Sequence, residues 1–209
     1  MTISCTGFLE LQDNVLTGVL PTELGLMTEL MILQLSNNKV SSGIPTQIGT
    51  LTNLELLNLN FNGMNGTLPT ELGNLTKLFI LDLSSNTLTG TLPTEIGNLV
   101  NLTFFDIREN GLTGTLPSEL GHLTSMDGLC MTNNHITGSI PTEIGSFSNM
   151  TSFEISENSI TGSLPSESVV KIVKSPSSEG RDPVIEFPVI SKEVILEKDP
   201  ISVAMEPVI

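Results

Sequence analysis

Positive charge is scarce in this chain: 8 Lys and Arg stand against 23 Asp and Glu, a formal net charge of −15. That balance excludes nucleic acid as a partner, because phosphate contacts need clustered Lys and Arg, and a field of this sign repels DNA, RNA and anionic headgroups. The bias is strongest before Ser166, where 15 acidic side chains face 3 basic ones (Lys39, Lys77 and Arg108); residues 166–209 hold 8 and 5. Basic ligands are favoured. Long apolar runs are missing too. None reaches the 18 residues of a membrane span, so direct membrane insertion is not expected, and Met1 to Glu10 has neither a basic start nor an apolar export stretch.

The apparatus of catalysis is equally thin. His122 and His135 are the only histidines, and no serine or cysteine is placed to converge with either as a triad requires. There is no Walker loop, no G-x-G-x-x-G, no H-E-x-x-H and no C-x-x-C. Phosphate cradles, dinucleotide sites and zinc sites therefore lack their minimal signatures. The reading is a protein without enzymatic activity, cofactor or metal.

What the chain has is a strict period. Pro21, Pro45, Pro69, Pro93, Pro117, Pro141 and Pro165 stand 24 residues apart, each with the same residue types around it. Self-similarity at this period means stacked units, each burying its apolar face against the next. Seven residues before each proline is an asparagine: Asn14, Asn38, Asn62, Asn86, Asn110, Asn134 and Asn158. Amides kept among apolar columns are read as buried groups bonded to neighbouring coils, since an unpaired buried amide is costly. Glycine recurs three residues before the proline, with Ser42 the exception, and again four after it, marking sharp bends or close backbone approach. Leu57 and Leu59 and their equivalents are spaced by two, which predicts a strand with one face inward. Proline followed by glycine within Pro-Thr-Glu-Leu-Gly predicts one short α- or 3₁₀-turn.

The segment LTNLELLNLNFNGMNGTLPTELGNLTKL and its neighbours resemble the plant-type leucine-rich repeat, LxxLxxLxLxxNxLxGxIPxxLGxL, from Leu9 to about Pro165. The resemblance implies an α/β solenoid: a right-handed curved superhelix with a parallel sheet on the concave face, short turns on the convex face and often a second short sheet near the LxGxIP segment. It also implies a protein, peptide or glycan ligand on the concave or lateral surface. The organisation read from the chain is a repeat domain over 1–165, a linker over 166–182 containing Ser175-Pro176, and a Pro-Val-Ile-rich tail over 183–209, disordered or lying across the last coil as a makeshift cap. Ectodomains of this type usually begin with a cysteine-paired cap, which the first ten residues lack, so a fragment of a longer secreted or cell-surface protein is expected, with a receptor-like kinase ectodomain as one form of it. Were the ends genuine, the address would be cytoplasmic.

Alternation along each strand names the residues turned to the concavity. One column is Phe8, Ile32, Leu56, Ile80 and Phe104; beside it run Glu10, Gln34, Asn58, Asp82, Asp106 and Glu154, with Arg108 the one basic side chain, read as paired to Asp106 and Glu109. An apolar ridge flanked by carboxylates is the expected ligand site. Self-association through an uncapped N-terminal edge around Phe8, Leu9 and Leu11 is the competing reading. Asn65, Asn74, Asn101 and Asn149 head N-x-T sequons off the concave strands and are candidate glycosylation sites. The ladder of Glu23, Gln47, Glu71, Glu95, Glu119, Glu143 and Glu167 offers parallel solvated side chains, not the converging oxygens calcium needs. Cys5 and Cys130 fall in the first and sixth coils, roughly 24 Å apart at about 4.8 Å per coil, beyond disulfide reach. Free thiols are expected.

Overall fold

Each 24-residue period folds into one coil, in a computed structural model that describes residues 7–163 and two short backbone stretches at 173–174 and 185–186. A three-residue strand opens the coil, a bend and a second short strand follow, and a 3₁₀ turn closes it. The opening strands, from Phe8–Glu10 to Ser152–Glu154, form one seven-stranded parallel sheet in chain order. Its register is the period itself: Phe8 faces Ile32, Leu33 faces Leu57, Asp82 faces Asp106. Every strand therefore presents the same offset of its repeat to the next, which turns columns in the sequence into columns in space.

The core lies between this sheet and the turns. Leu51, Leu54, Leu57, Leu59, Leu72 and Leu75 are all buried, as are their equivalents through the following coils to Phe147. Burying one such side chain stabilises by about 1.5–3 kcal/mol, and an isolated coil could not do so. The short turn is 3₁₀ in all six described copies, as in Thr70–Asn74. Proline sits just ahead of it at φ −72°, and its carbonyl accepts from the backbone N–H three residues on, Leu72 to Pro69 at 3.1 Å. The two glycine columns answer to different needs. Those before the proline have positive φ, 79° at Gly90 and Gly114. Those after it permit close stacking: a Cβ on Gly73 would lie 2.4 Å from the carbonyl oxygen of Glu95 in the next coil.

The asparagines act between coils. Asn86 donates from Nδ2 to the carbonyls of Leu83 and Ser84 in its own coil and of Leu59 in the preceding one, while its Oδ1 accepts from the backbone N–H of Met64. Asn14, in the first described coil, is exposed and bonds only to Leu11 and Gln12 of its own coil. The residue before each asparagine has φ between 48° and 57°, with no glycine among the seven. At Phe61 this left-handed conformation is borne by a bulky, exposed ring, whereas Asn37 and Asn133 hold the same position elsewhere. Left-handed backbone costs ordinary residues about 1–2 kcal/mol and asparagine less. Phe61→Asn is accordingly expected to stabilise by about 1 kcal/mol, read as a higher midpoint in thermal unfolding.

After the bend the chain forms a second, lateral sheet: Asn65–Thr67, Thr87–Gly90, Gly111–Thr115, His135–Gly138 and Ser159–Ile160. Its partners stand 22 residues apart rather than 24, Thr67 opposite Thr89 and Thr115 opposite Thr137, so it is sheared by two residues per coil. Thr17–Gly18 and Lys39–Val40 pair in the same way. Beyond the last coil, 185–186 pairs antiparallel with 173–174, and its backbone runs against Ser152–Glu154. The rest of the linker and tail, with Pro165, Glu167 and Ser175-Pro176, lies outside the described residues, as does Cys5.

Candidate ligand-binding face

On the concave face the first column begins with Phe8, half exposed at 50 %, while Ile32 behind it is buried at 5 %. Leu56, Ile80 and Phe104 are half-buried. The ridge is thus open at Phe8, closed at Ile32 and open again over the three coils from Leu56 to Phe104. It ends at Gly128, over which the Phe104 ring leans: a Cβ there would lie 2.8 Å from Cδ2 of the ring.

The second column is less available than alternation alone suggests. Gln34, Asn58 and Asp106 are buried, Asp106 at 1 % exposure, while Glu10 is exposed and Asp82 and Glu154 are half-buried. The reason is local. Asn58, Asp82 and Asp106 each turn their side-chain oxygen back to accept the backbone N–H two residues on, from Asn60, Ser84 and Arg108 at 3.0–3.1 Å. Short Asx side chains do this readily, and here the bond closes the end of each strand. Ser84 Oγ and Asn60 Nδ2 then donate to Asp82 at 2.7 Å.

Arg108 grips Asp106, with Nε donating to both carboxylate oxygens and Nη2 to Oδ2 at 2.7 Å. Its Nη1 reaches Glu154 at 3.5 Å, two coils on. Glu109, the neighbour in sequence, takes a bond from Ser85 instead. Burial holds the Asp106 carboxyl above its ordinary pKa, with the Arg108 bonds pulling the other way. Burial would lower Arg108, but bonding to Asp106 outweighs it and the guanidinium is held above its ordinary value. Cys130, a buried free thiol in the same column, is pushed up to about 12, first by burial and then by the charges of Asp106 and Glu154. Little of it is thiolate at neutral pH, so it behaves as a small apolar group.

His122 and His135 are both exposed, one at the end of a 3₁₀ turn and one opening a lateral strand. Among the described residues no three His, Cys, Asp or Glu gather as a metal site would require. Glu71, Glu95 and Glu119 each accept from the hydroxyl beside them, Thr70, Thr94 and Ser118. The four sequon asparagines are exposed, and Asn101 donates from Nδ2 to the Thr76 carbonyl. No helix among the described residues is long and apolar enough to cross a membrane.

A shallow groove of about 690 Å³ lies off the concave face, between the lateral sheet and the turns, lined by Thr91, Thr94, Thr115, Ser118, Ser139 and Glu119 among others. Its signal in the sequence is the Thr-Gly-Thr at 89–91 and 113–115, recurring as Thr-Gly-Ser at 137–139 and 161–163. Read through concave strands, the repeat draws attention away from it.

The family model described as Leucine Rich Repeat matches residues 29–51, 53–75, 77–99 and 101–123. Among solved structures the chain is similar to the ectodomain of the membrane receptor kinase GASSHO1/SCHENGEN3 from Arabidopsis thaliana, solved with CASPARIAN STRIP INTEGRITY FACTOR 2. Identity is 37 %, the TM-score 0.73, and the match covers 74 % of this chain and 19 % of that one. A chain of the BIR3–SERK2 complex from Arabidopsis thaliana is 36 % identical with a TM-score of 0.53, covering 59 % and 69 %. A plant ice-binding protein is 30 % identical with a TM-score of 0.71, covering 75 % and 51 %. No curated relative matches. The chain spans about a fifth of the GASSHO1 ectodomain. With its coil-by-coil register and its asparagines joining neighbouring coils, the chain belongs to the leucine-rich repeat family, in the form carried by plant receptor ectodomains.

Proposed function

We propose that the chain is a recognition module of a secreted or cell-surface protein, holding an extended peptide or protein segment along the concave face. The observation that carries this is the half-open apolar file of Leu56, Ile80 and Phe104, rimmed by the half-buried carboxylates Asp82 and Glu154. Apolar side chains of the ligand would meet the file, and its Lys or Arg would meet the carboxylates. The ligand-bound GASSHO1 ectodomain supports this use of the fold.

The test is selection from a random peptide display library, followed by titration of the enriched peptides. Enriched sequences should alternate apolar and basic residues, bind more weakly as salt rises, and lose at least about tenfold in affinity, roughly 1.4 kcal/mol, to Ile80→Asp or Phe104→Asp. Far-UV circular dichroism checks that the variants fold. Peptides that bind both variants as well as the parent would place the site elsewhere.

A second reading rests on the first coil, where Phe8, Val15, Val19, Leu26 and Met27 are exposed together at the N-terminal edge of the described coils. Copies meeting there would form a scaffold. Sedimentation velocity on dilution decides it: a monomer at tens of micromolar removes this reading.

A further inference from the structure

The lateral sheet carries two ranks of hydroxyls, Thr89, Thr113 and Thr137 four residues before their prolines and Thr67, Thr91, Thr115 and Ser139 two before theirs, paired across strands as Thr67 with Thr89 and Thr115 with Thr137. These four are exposed, and the ranks are uncharged from Asn65 onward in a chain of net charge −15. They are also fixed. Thr113 and Thr137 donate their hydroxyls to the carbonyls of Gly90 and Gly114 in the preceding coil, both at 3.2 Å. In the other rank, the Thr67, Thr91 and Thr115 methyls rest on Gly90, Gly114 and Gly138 of the following coil, so closely that a Cβ there would meet them at 2.6–2.7 Å. A β-branched side chain held in this way has one rotamer and loses little freedom on binding. The neighbouring carboxylates of Glu95 and Glu119 are engaged by Thr94 and Ser118. Beside the ranks runs the shallow groove lined by Thr91, Thr115 and Ser139.

A rigid, neutral, repeating array of methyls and hydroxyls has an obvious complement in a repeating array of water. Opposed threonines such as Thr67 and Thr89 lie about 4.8 Å apart and alternate residues of a strand such as Thr89 and Thr91 about 6.6 Å apart, two steps that recur from coil to coil. Each hydroxyl holds one lattice water, and many weak bonds are made at once because their positions are preset. We propose that this lateral face binds ice. The surface is separate from the concave file, so neither proposal depends on the other. A chain-like glycan is the competing occupant, and the absence of Trp and Tyr removes the aromatic platforms on which sugars commonly stack.

The full chain, made in bacteria so that Asn65 on the same face carries no glycan, is labelled and frozen slowly onto an ice probe. Two double variants, Thr91→Lys with Thr115→Lys and Thr89→Lys with Thr113→Lys, are compared with Asn98→Lys on the turn side, each checked for folding by circular dichroism. The parent and Asn98→Lys should concentrate in the ice, and each double variant should fall roughly tenfold. Exclusion of the parent from the ice, or equal enrichment of the double variants, overturns the proposal. Exclusion from ice with retention on insoluble cellulose or chitin overturns it too and assigns the ranks to a glycan.

Discussion

Asn86→Ala should lower the unfolding free energy by roughly 3–4 kcal/mol, at about 1 kcal/mol for each bond lost. The amide makes four hydrogen bonds: three carbonyls of two coils lose a donor, and the N–H of Met64 loses its acceptor. Alanine replaces none of them, and the site is buried, so water does not restore the bonds without opening the interface. The coil-to-coil interface carries the stability of a solenoid, so this one change weakens the coupling between the third and fourth coils and broadens the transition. Asn14→Ala is the control. Its two bonds are exposed and stay within one coil, and the expected loss is below about 1 kcal/mol. Urea titration followed by circular dichroism reads both values.

Removing Arg108 has the second large effect, and it depends on pH. Arg108→Ala leaves Asp106 at 1 % exposure without the guanidinium that bonds both its oxygens. Orphaning a fully buried charge costs about 3–5 kcal/mol; the Arg108 side chain is 43 % exposed, so roughly 2 kcal/mol is expected here at pH 7. Burial already holds the Asp106 carboxyl above its ordinary value, and losing the arginine raises it further. A carboxyl with a raised folded-state pKa favours the folded protein below the unfolded pKa, and that contribution is lost as pH rises through the folded-state value. The deficit of Arg108→Ala relative to the parent is therefore largest at neutral pH and shrinks as acid protonates Asp106. Adding Asp106→Asn should recover most of the loss at pH 7, because the orphaned group is then neutral. A deficit that stays constant from pH 7 to pH 4 would show that the arginine acts through packing alone.

The coil was legible because its constraints fall on residue types that little else satisfies. Proline ahead of the turn, asparagine between coils and glycine at two bends can each be read at fixed offsets, and the main-sheet register follows from the period. The seven left-handed residues were not legible: Asp13, Phe61, Ser85 and Glu109 share no chemistry, yet all hold a positive φ at the same offset of the coil. Alternation placed Asn58, Asp82 and Asp106 on the concave face but could not show that they fold back onto their own strand ends. For Arg108, nearness in sequence pointed to Glu109, whereas parallel stacking brings Glu154 from 46 residues away. The lateral ranks were missed for a related reason. Thr-Gly-Thr reads as a turn until the two-residue shear sets Thr67 against Thr89.

Amide hydrogen exchange of the chain with and without a selected peptide tests the central claim most directly, because it reports both faces at once. The account predicts slowed exchange in the concave strands Leu56–Asn58, Ile80–Asp82 and Phe104–Asp106, with the lateral strands Thr87–Gly90 and Gly111–Thr115 unchanged. Slowing confined to the lateral strands, with the concave strands as before, would contradict it and move recognition to the other face.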